Sequence, residues 1–367
     1  MNFFKFFIFI FLIFNIEPSI SSVFEETNAI YGSEEYFYRL HDVKFVEEHG
    51  FFVFGRATNR KTKNSENMFV FLFDSSGNLI KRSIYKDKGK PSLFFSDQKN
   101  NAYVLSKKKD GYFLYKIDQG LNLLPLGHLM SRKYKIHELF LDKDNIFSIC
   151  GSRNNKQSIY ARVKITEEKI YEMEMQEGSN NEYCISSPFD EKTAVLLIGE
   201  GGSLSKSKEE RVLKKYEKLT KKSETIADKI YDKDIFIDNK GKVFFVYDKR
   251  FGIKQEVRLL SLDHKFNPLW NKHIVTNNFG LTGYRIGKIS KNILVVGNKK
   301  NRVFWSLIDA DTGKLIVSEH KKETNPVMHP KVDCSPIVCL VSGTEISLGK
   351  NKEKNEKLLV SRLKFKE

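Results

Sequence analysis

After residue 38 the chain alternates short apolar runs with polar turns, in a pattern that recurs seven times. In the clearest copies, residues 69–80 and 303–316, an apolar run ends in an Asp-containing turn and a second short run follows. The copies are spaced by about 44 to 51 residues. Four short strands per copy at this period are typical of a β-propeller blade. We therefore predict an all-β fold, a seven-bladed β-propeller of four-stranded antiparallel blades.

Each repeat divides into four predicted strands, a to d, which in the first repeat are Leu40–Val46, Gly50–Gly55, Met68–Phe73 and Leu79–Tyr85. The b strands are continuous apolar runs, several of which end in glycine. This pattern is typical of strands that are buried on both faces and closely approached by a neighbouring strand. Strand c ends at a turn where Asp can bond its own backbone and Gly tolerates positive φ.

The seventh repeat has only three strands, Lys331–Cys334, Ile337–Gly343 and Leu358–Phe365. A blade without its outer strand would leave an exposed edge. Residues Val23–Tyr31 have a strand-like pattern and no other partner, so we predict that this N-terminal strand closes the last blade. Residues 23–367 would then form a single propeller domain.

The first 22 residues have a different composition. Lys5 precedes the apolar block Phe6–Phe14, and the polar stretch Asn15–Ser22 supplies small residues at Ser19 and Ser21, as a secretory signal peptide does. An uncleaved membrane anchor is the alternative, although the block is short for a span of roughly 20 apolar residues. We expect export to the periplasm, the cell surface or the medium.

The four cysteines are disulfide candidates. Cys334 and Cys339 bracket a predicted hairpin turn, and Cys150 and Cys184 fall on strands of neighbouring repeats. The alternative is that all four are small buried core residues. No CxxC motif and no suitably spaced histidine predicts a metal site.

Two turns resemble a known repeat. Ile308–Leu315 resembles the strand–turn–strand signature of quinoprotein-like propellers, and Leu262–Trp270 is a looser copy. That family includes pyrroloquinoline quinone dehydrogenases and the outer-membrane assembly lipoprotein. The resemblance covers two of the seven repeats, and Val317 replaces the usual Trp in the better copy. It implies the propeller fold, and we expect no cofactor.

Motifs of catalysis are absent from the sequence, which has no HExxH, GxSxG or P-loop. Of the eight histidines, only His41, His137 and His329 lie on or beside a predicted strand a. We interpret them as ordinary strand or loop residues, with a site in the central channel as the alternative.

Charge is distributed unevenly along the repeats. The chain has a formal net charge of +16, and its basic residues gather in the b-to-c connections, which sum to about +14, whereas the a-to-b and c-to-d turns sum to about −5. In antiparallel blades these two sets lie on opposite faces of the disc. A basic face attracts anionic partners; the alternative is that the lysines serve solubility or reflect an A+T-rich genome. The candidate binding residues are Arg56, Lys61, Lys107, Lys108, Lys299, Lys300 and Arg302.

The sequence thus favours a secreted or surface-exposed, non-enzymatic binding propeller, for example an adhesin that recognises host matrix protein or sulfated glycan. Its expected partner is a protein or an anionic polysaccharide. Nucleic acid is not expected, because the chain is exported and lacks an aromatic–basic groove. The alternatives are an envelope scaffold for protein assembly and a propeller enzyme, namely a lyase, a hydrolase or a quinone-dependent dehydrogenase. We expect a monomer, with peripheral association with a membrane or cell surface as a further alternative.

Overall fold

A computed structural model describes residues 23–366. Its gaps are at residues 65–66, 98–99, 142–145, 155, 166–169, 181, 187–193, 201–210, 218–219, 221, 231–232, 239, 252–253, 279–280, 300–301, 321–324 and 349–353. The predicted signal peptide, residues 1–22, lies outside the described residues. The described part of the chain contains 28 strands and no helix. It therefore has no helix long and apolar enough to cross a membrane.

The strands form seven four-stranded antiparallel sheets. Blade 1 is β2 (Tyr36–Val46), β3 (Gly50–Asn59), β4 (Asn67–Phe73) and β5 (Leu79–Tyr85). Blade 2 is β6 (Lys90–Ser96), β7 (Ala102–Lys107), β8 (Gly111–Ile117) and β9 (Leu123–Ser131). Blade 3 is β10 (Tyr134–Leu141), β11 (Ile146–Arg153), β12 (Gln157–Ile165) and β13 (Ile170–Asn180). Blade 4 is β14 (Glu182–Ser186), β15 (Ala194–Glu200), β16 (Arg211–Glu217) and β17 (Lys222–Ile230). Blade 5 is β18 (Lys233–Ile237), β19 (Val243–Phe251), β20 (Lys254–Leu262) and β21 (Pro268–Asn278). Blade 6 is β22 (Leu281–Ile289), β23 (Asn292–Lys299), β24 (Arg302–Asp309) and β25 (Leu315–His320). Blade 7 is β26 (Val327–Cys334), β27 (Val338–Leu348), β28 (Lys354–Phe365) and β1 (Phe24–Tyr31).

The first strand of each blade lies at the inside of the ring, because the first strands contact one another at six of the seven blade junctions. Antiparallel order then places the b-to-c hairpins and the linkers between blades on one face of the disc, which we call the hairpin face. The a-to-b and c-to-d turns lie on the opposite face, the turn face. The seven-bladed propeller predicted from the repeat is confirmed.

Strand β1 closes the ring as predicted. It pairs with β28 in antiparallel register from Phe24 opposite Phe365 to Tyr31 opposite Leu358. The Phe24 ring lies edge-on to Trp305 of blade 6, with ring centroids 5.0 Å apart. At the other end of the strand, Tyr31 packs edge-on against Phe71 of blade 1 at 5.7 Å. The N-terminal strand therefore completes blade 7 and also contacts both of its neighbours.

The hydrophobic core consists of one cluster at each of the seven blade junctions. Six clusters contain 12 to 14 buried residues each, among those described. The cluster between blades 3 and 4 has five, and two of them are Cys150 and Cys184. These two cysteines are joined by a disulfide, with Cα atoms 4.9 Å apart. The bond therefore crosslinks the junction with the smallest described apolar cluster.

The second disulfide joins Cys334 to Cys339 across the β26–β27 hairpin, with Cα atoms 4.0 Å apart. No described cysteine is free. The turn between them is closed by the Ser335 hydroxyl, which accepts a hydrogen bond from the Val338 N–H at 3.0 Å. This bond therefore lies within blade 7 rather than between blades.

The Asp-containing turns form as the sequence predicts. Asp74 Oδ1 accepts hydrogen bonds from the backbone N–H groups of Ser76 and Asn78 at 2.9 and 2.8 Å. Gly77 occupies the positive-φ position at +84°. Asp263 makes the equivalent pair of bonds in blade 5. Several carboxylates of the turn face are thus engaged by their own backbone.

Candidate functional site

The hairpin face is basic in the described residues. Its connections carry ten basic residues, Arg60, Lys61, Lys63, Lys86, Lys88, Lys108, Lys109, Arg132, Lys133 and Lys156, against four acidic ones, Glu34, Glu35, Asp87 and Asp110. The described connections of the turn face carry five basic residues, Lys240, Lys242, Lys265, Lys291 and Lys314. They carry eight acidic ones, Glu47, Glu48, Asp74, Asp97, Asp118, Asp238, Asp263 and Asp311. The two faces therefore differ in sign.

The predicted binding residues are spread along the hairpin-face ends of three blades. Lys61 is exposed in its turn, and Arg302 is exposed at the start of β24. Arg56 lies within β3 rather than in the hairpin, half-buried, and burial lowers its pKa. Lys299 is half-buried at the end of β23. Lys300 lies outside the described residues.

Several cations of this face rest on aromatic rings. The Nζ atoms of Lys107 and Lys108 lie 5.1 Å from the centre of the Tyr112 ring and 5.0 Å from that of the Phe113 ring. The Arg60 guanidinium lies 4.1 Å from the centre of the Phe37 ring. Cation–π contacts of this kind contribute about 0.5–1 kcal/mol each at exposed sites. They also order long side chains that would otherwise be mobile.

The linkers between blades add basic residues that the sequence analysis did not count. Lys86, Lys88, Arg132 and Lys133 all lie on the hairpin face. The sequence carried a usable signal, because in an antiparallel blade the d-to-a linker emerges on the same side as the b-to-c hairpin. The face is therefore broader than predicted.

A second polar arrangement surrounds the propeller axis. Seven half-buried charged side chains come from the inner strands of five blades, namely Asp42, Lys44, Glu138, Asp234, Arg285, Lys331 and Asp333. We call this set the axial cluster. It contains four carboxylates and three cations.

Bulges in the inner strands position this cluster. The register of β2 against β3 shifts just before Asp42, that of β10 against β11 before Glu138, and that of β26 against β27 before Lys331. A bulge re-aims the side chain that follows it. Glycines within the b strands, opposite the inner strands, accommodate these bulges. A Cβ on Gly151, for example, would collide with the backbone carbonyl of Lys135 in the inner strand.

Lys44 interacts with most of the cluster. The carboxylates of Asp42, Asp333, Glu138 and Asp234 outweigh the effect of burial and raise its pKa. These four carboxylates come from blades 1, 7, 3 and 5, so the Lys44 ammonium group interacts electrostatically with charges on the other side of the propeller axis. Two of the carboxylates also bond the next blade, since Asp333 Oδ2 accepts from the Phe45 N–H at 2.9 Å and Asp234 Oδ2 from the Ile286 N–H at 3.0 Å.

Two members of the axial cluster titrate near neutral pH. Burial raises the pKa of Glu138 to about 7 against the lowering effect of the Lys44 ammonium group, and the negative charges of Asp234 and Asp42 add to the increase. Burial and the neighbouring Arg285 lower the pKa of Lys331 to about 8. Such perturbed groups occur often at functional sites, although ion-pair networks also produce them.

Two of the strand-a histidines precede cluster members in the sequence, His41 before Asp42 and His137 before Glu138. Burial lowers the pKa of His41 to about 4 and that of His137 to about 3, so both rings are neutral at physiological pH. His137 Nε2 lies 3.2 Å from the Ser152 hydroxyl. Among the described residues no group of three His, Cys, Asp or Glu side chains could hold a metal ion.

No family model and no curated protein matches the sequence. Solved structures that are similar share its fold. One is a catalytically inactive variant of virginiamycin B lyase from Staphylococcus aureus with quinupristin, at 10% identity and a TM-score of 0.54 over 93% of this chain and 99% of that one. Another is the β-propeller domain of the trilobed protease from Pyrococcus furiosus, at 11% identity and a TM-score of 0.56 over 90% and 96%. A third is the propeller domain of Cps50 (Swd1) from Myceliophteria thermophila, at 9% and 0.52 over 93% and 100%. The chain is a β-propeller; at these identities the likeness shows the fold alone.

Proposed function

We propose that this chain is an exported, non-enzymatic binding protein whose hairpin face binds an anionic macromolecule, with sulfated glycans as the first candidates. The supporting observation is the difference in charge between the two faces, ten basic and four acidic residues against five and eight. Two disulfides fit an oxidising compartment outside the cytoplasm.

The positive electrostatic potential of the hairpin face is the combined effect of many basic residues. Like charges distributed around one rim sum their potentials, and this attracts a polyanion faster than scattered charges would. The lysines and the arginine that lie on aromatic rings contribute partly ordered donors, so binding them costs less side-chain entropy. A sulfated chain that spans several blades could contact many of these cations at once.

The test is a matched pair of triple charge reversals. Lys61, Lys86 and Lys109 are exposed on the hairpin face and contact no aromatic ring of the described residues, so their change to Glu should leave stability within about 0.5 kcal/mol per site. We expect heparin affinity to fall about tenfold or more, because the net charge of the face is lowered by six. Wild-type binding should also weaken as NaCl rises to about 0.5 M.

The control reverses the same number of charges on the turn face. Lys265, Lys291 and Lys314 are exposed there, and their change to Glu should alter heparin affinity less than about twofold. Equal losses in both triple variants would mean that net charge alone attracts heparin. Unchanged affinity in the hairpin-face variant would leave the lysines with a role in solubility only.

A further inference from the structure

The side chains of the axial cluster keep contact with solvent although they lie inside the ring. All seven are half-buried rather than closed off. They also act on one another across the axis, since Lys331 of blade 7 interacts electrostatically with Asp42 of blade 1 and with Asp234 of blade 5. The inner strands therefore surround a common space that is open to water.

The three cations of the axial cluster lack a direct acidic partner. Within the part of the chain that the structure describes, Lys44 and Lys331 form no hydrogen bond or ion pair, and Arg285 bonds only the backbone carbonyl of Tyr284. Arg285 and Lys331 lie on the contacting inner strands β22 and β26, and burial together with the charge of Arg285 lowers the pKa of Lys331. The two cations therefore repel each other, and a carboxylate placed between them would relieve that repulsion.

A carboxylate faces this pair of cations from the other side of the axis. In a ring of seven blades, blade 3 lies opposite the junction of blades 6 and 7, so Glu138 lies across the axis from Arg285 and Lys331. Glu138 forms no ion pair with any described residue. By contrast, Asp42 Oδ1 accepts a hydrogen bond from the Val43 N–H at 3.0 Å. Glu138 is thus a carboxylate with no cation bonded to it, and it faces two cations with no carboxylate bonded to them.

We propose that the axial cluster binds a zwitterion, namely a free amino acid or a short peptide, with its carboxylate on Arg285 and Lys331 and its ammonium group on Glu138. An arginine side chain binds a carboxylate through two parallel hydrogen bonds, and hydrogen bonds between charged groups are the strong ones. A ligand of a single charge fits less well, because the cluster has four carboxylates and three cations and would repel such a ligand from one side. This site lies inside the ring and is independent of the anionic partner proposed for the hairpin face.

The experiment measures binding of L-alanine, L-leucine, glycylglycine and trialanine to the purified protein by calorimetry. At about pH 7.5 Glu138, with a pKa of about 7, and Lys331, with a pKa of about 8, are both mostly ionised. We expect at least one of the four ligands to bind with a Kd of about 0.1 mM or tighter. Its N-acetylated form lacks the ammonium group and its amide lacks the carboxylate, so each should bind about tenfold more weakly or worse. The tighter binder of the two kinds distinguishes an amino acid from a peptide.

Two substitutions test the two ends of the site. Lys331→Met and Glu138→Gln should each weaken binding about tenfold or more, because each removes one charged partner of the ligand. The matched control is Lys90→Met, which changes an exposed lysine at the start of the inner strand β6, outside the cluster, and should bind as wild type does. Melting followed by circular dichroism shows whether each variant is folded, and the ligand analogues decide the question on the wild-type protein if one is not.

The proposal is overturned if none of the four ligands gives a heat signal at about 10 mM, or if the analogues with a single charge bind as tightly as the zwitterion. It is also overturned if Lys90→Met weakens binding as much as Lys331→Met does, since the loss would then reflect net charge alone. The triple hairpin-face variant separates the two proposals, because it should lose heparin affinity and keep its affinity for the zwitterion. Loss of both affinities in that variant would overturn the axial site.

Discussion

The closure of the ring can be tested at one side chain, that of Phe24. It is the first residue of β1 and is only 2% exposed. Its ring lies 5.0 Å from that of Trp305 in blade 6 and 5.7 Å from that of Phe365 in β28. Phe24→Ala would leave a cavity at the junction of blades 6 and 7, and such a truncation costs about 3–5 kcal/mol in a packed core. We therefore expect a loss of that size in the free energy of unfolding.

Ile30 offers a matched control on the same strand. It pairs with Leu359, as Phe24 pairs with Phe365, but its side chain is 53% exposed. Ile30→Ala should cost about 0.5 kcal/mol or less. Both substitutions leave the backbone hydrogen bonds of β1 unchanged, so the difference between them isolates the packing of Phe24 between the blades.

The assay is urea unfolding followed by circular dichroism, with limited proteolysis as a second measurement. If Phe24 couples the terminal blades to the rest of the ring, Phe24→Ala should also lower the slope of the unfolding transition, because the end of a repeat array can then unfold separately. A Phe24→Ala protein that unfolds within about 1 kcal/mol of Ile30→Ala, with an unchanged slope, would refute this account of closure.

Three further measurements address the axial cluster and the disulfides. The folded-state pKa of Glu138 is raised to about 7, so its stability contribution is fully present below its unfolded pKa and is lost as pH rises through 7. Glu138→Gln should therefore raise Tm at pH 8 and change it little at pH 4, and an equal shift at both pH values would contradict the assignment. Replacing Cys150 and Cys184 by Ser should cost about 4 kcal/mol on the chain-entropy estimate for residues 34 apart. Replacing Cys334 and Cys339, five apart, should cost about 2 kcal/mol, and the reverse order of the two losses would count against the estimate.

Blade number, strand order and ring closure could be predicted from the sequence because their signals are local. An apolar b strand, an alternating c strand and an Asp turn occur within one repeat, and each reflects the backbone and burial of its own residues. The missing strand of the seventh repeat was equally visible, and Phe24–Tyr31 provides it. The predicted boundaries were short, since β3 continues past Gly55 to Asn59 and β27 past Gly343 to Leu348.

The axial cluster could not be predicted in the same way. Four of its members, Asp42, Glu138, Arg285 and Lys331, directly follow bulges, and a bulge depends on how one strand fits its partner rather than on a local pattern. The glycines at the ends of the predicted b strands were recognised as sites of close approach. The sequence did not show that the approaching group is the bulged inner strand, or that Asp42, Glu138 and Lys331 follow those bulges.

The sequence by itself thus determined the repeat, the closure and the sign of the hairpin face, because periodicity and charge are properties of neighbouring residues along the chain. Only the tertiary structure decided which charges interact at the axis, and that a cavity lined by Tyr38 and Arg82 opens beneath the linker of residues 32–35. Lys44 and Glu138 are 94 positions apart along the chain, and Tyr38 and Arg82 are 44 apart. The members of each pair come together only because seven separate sheets pack into one ring. Long-range packing of this kind is not visible in the hydrophobic pattern of a single strand.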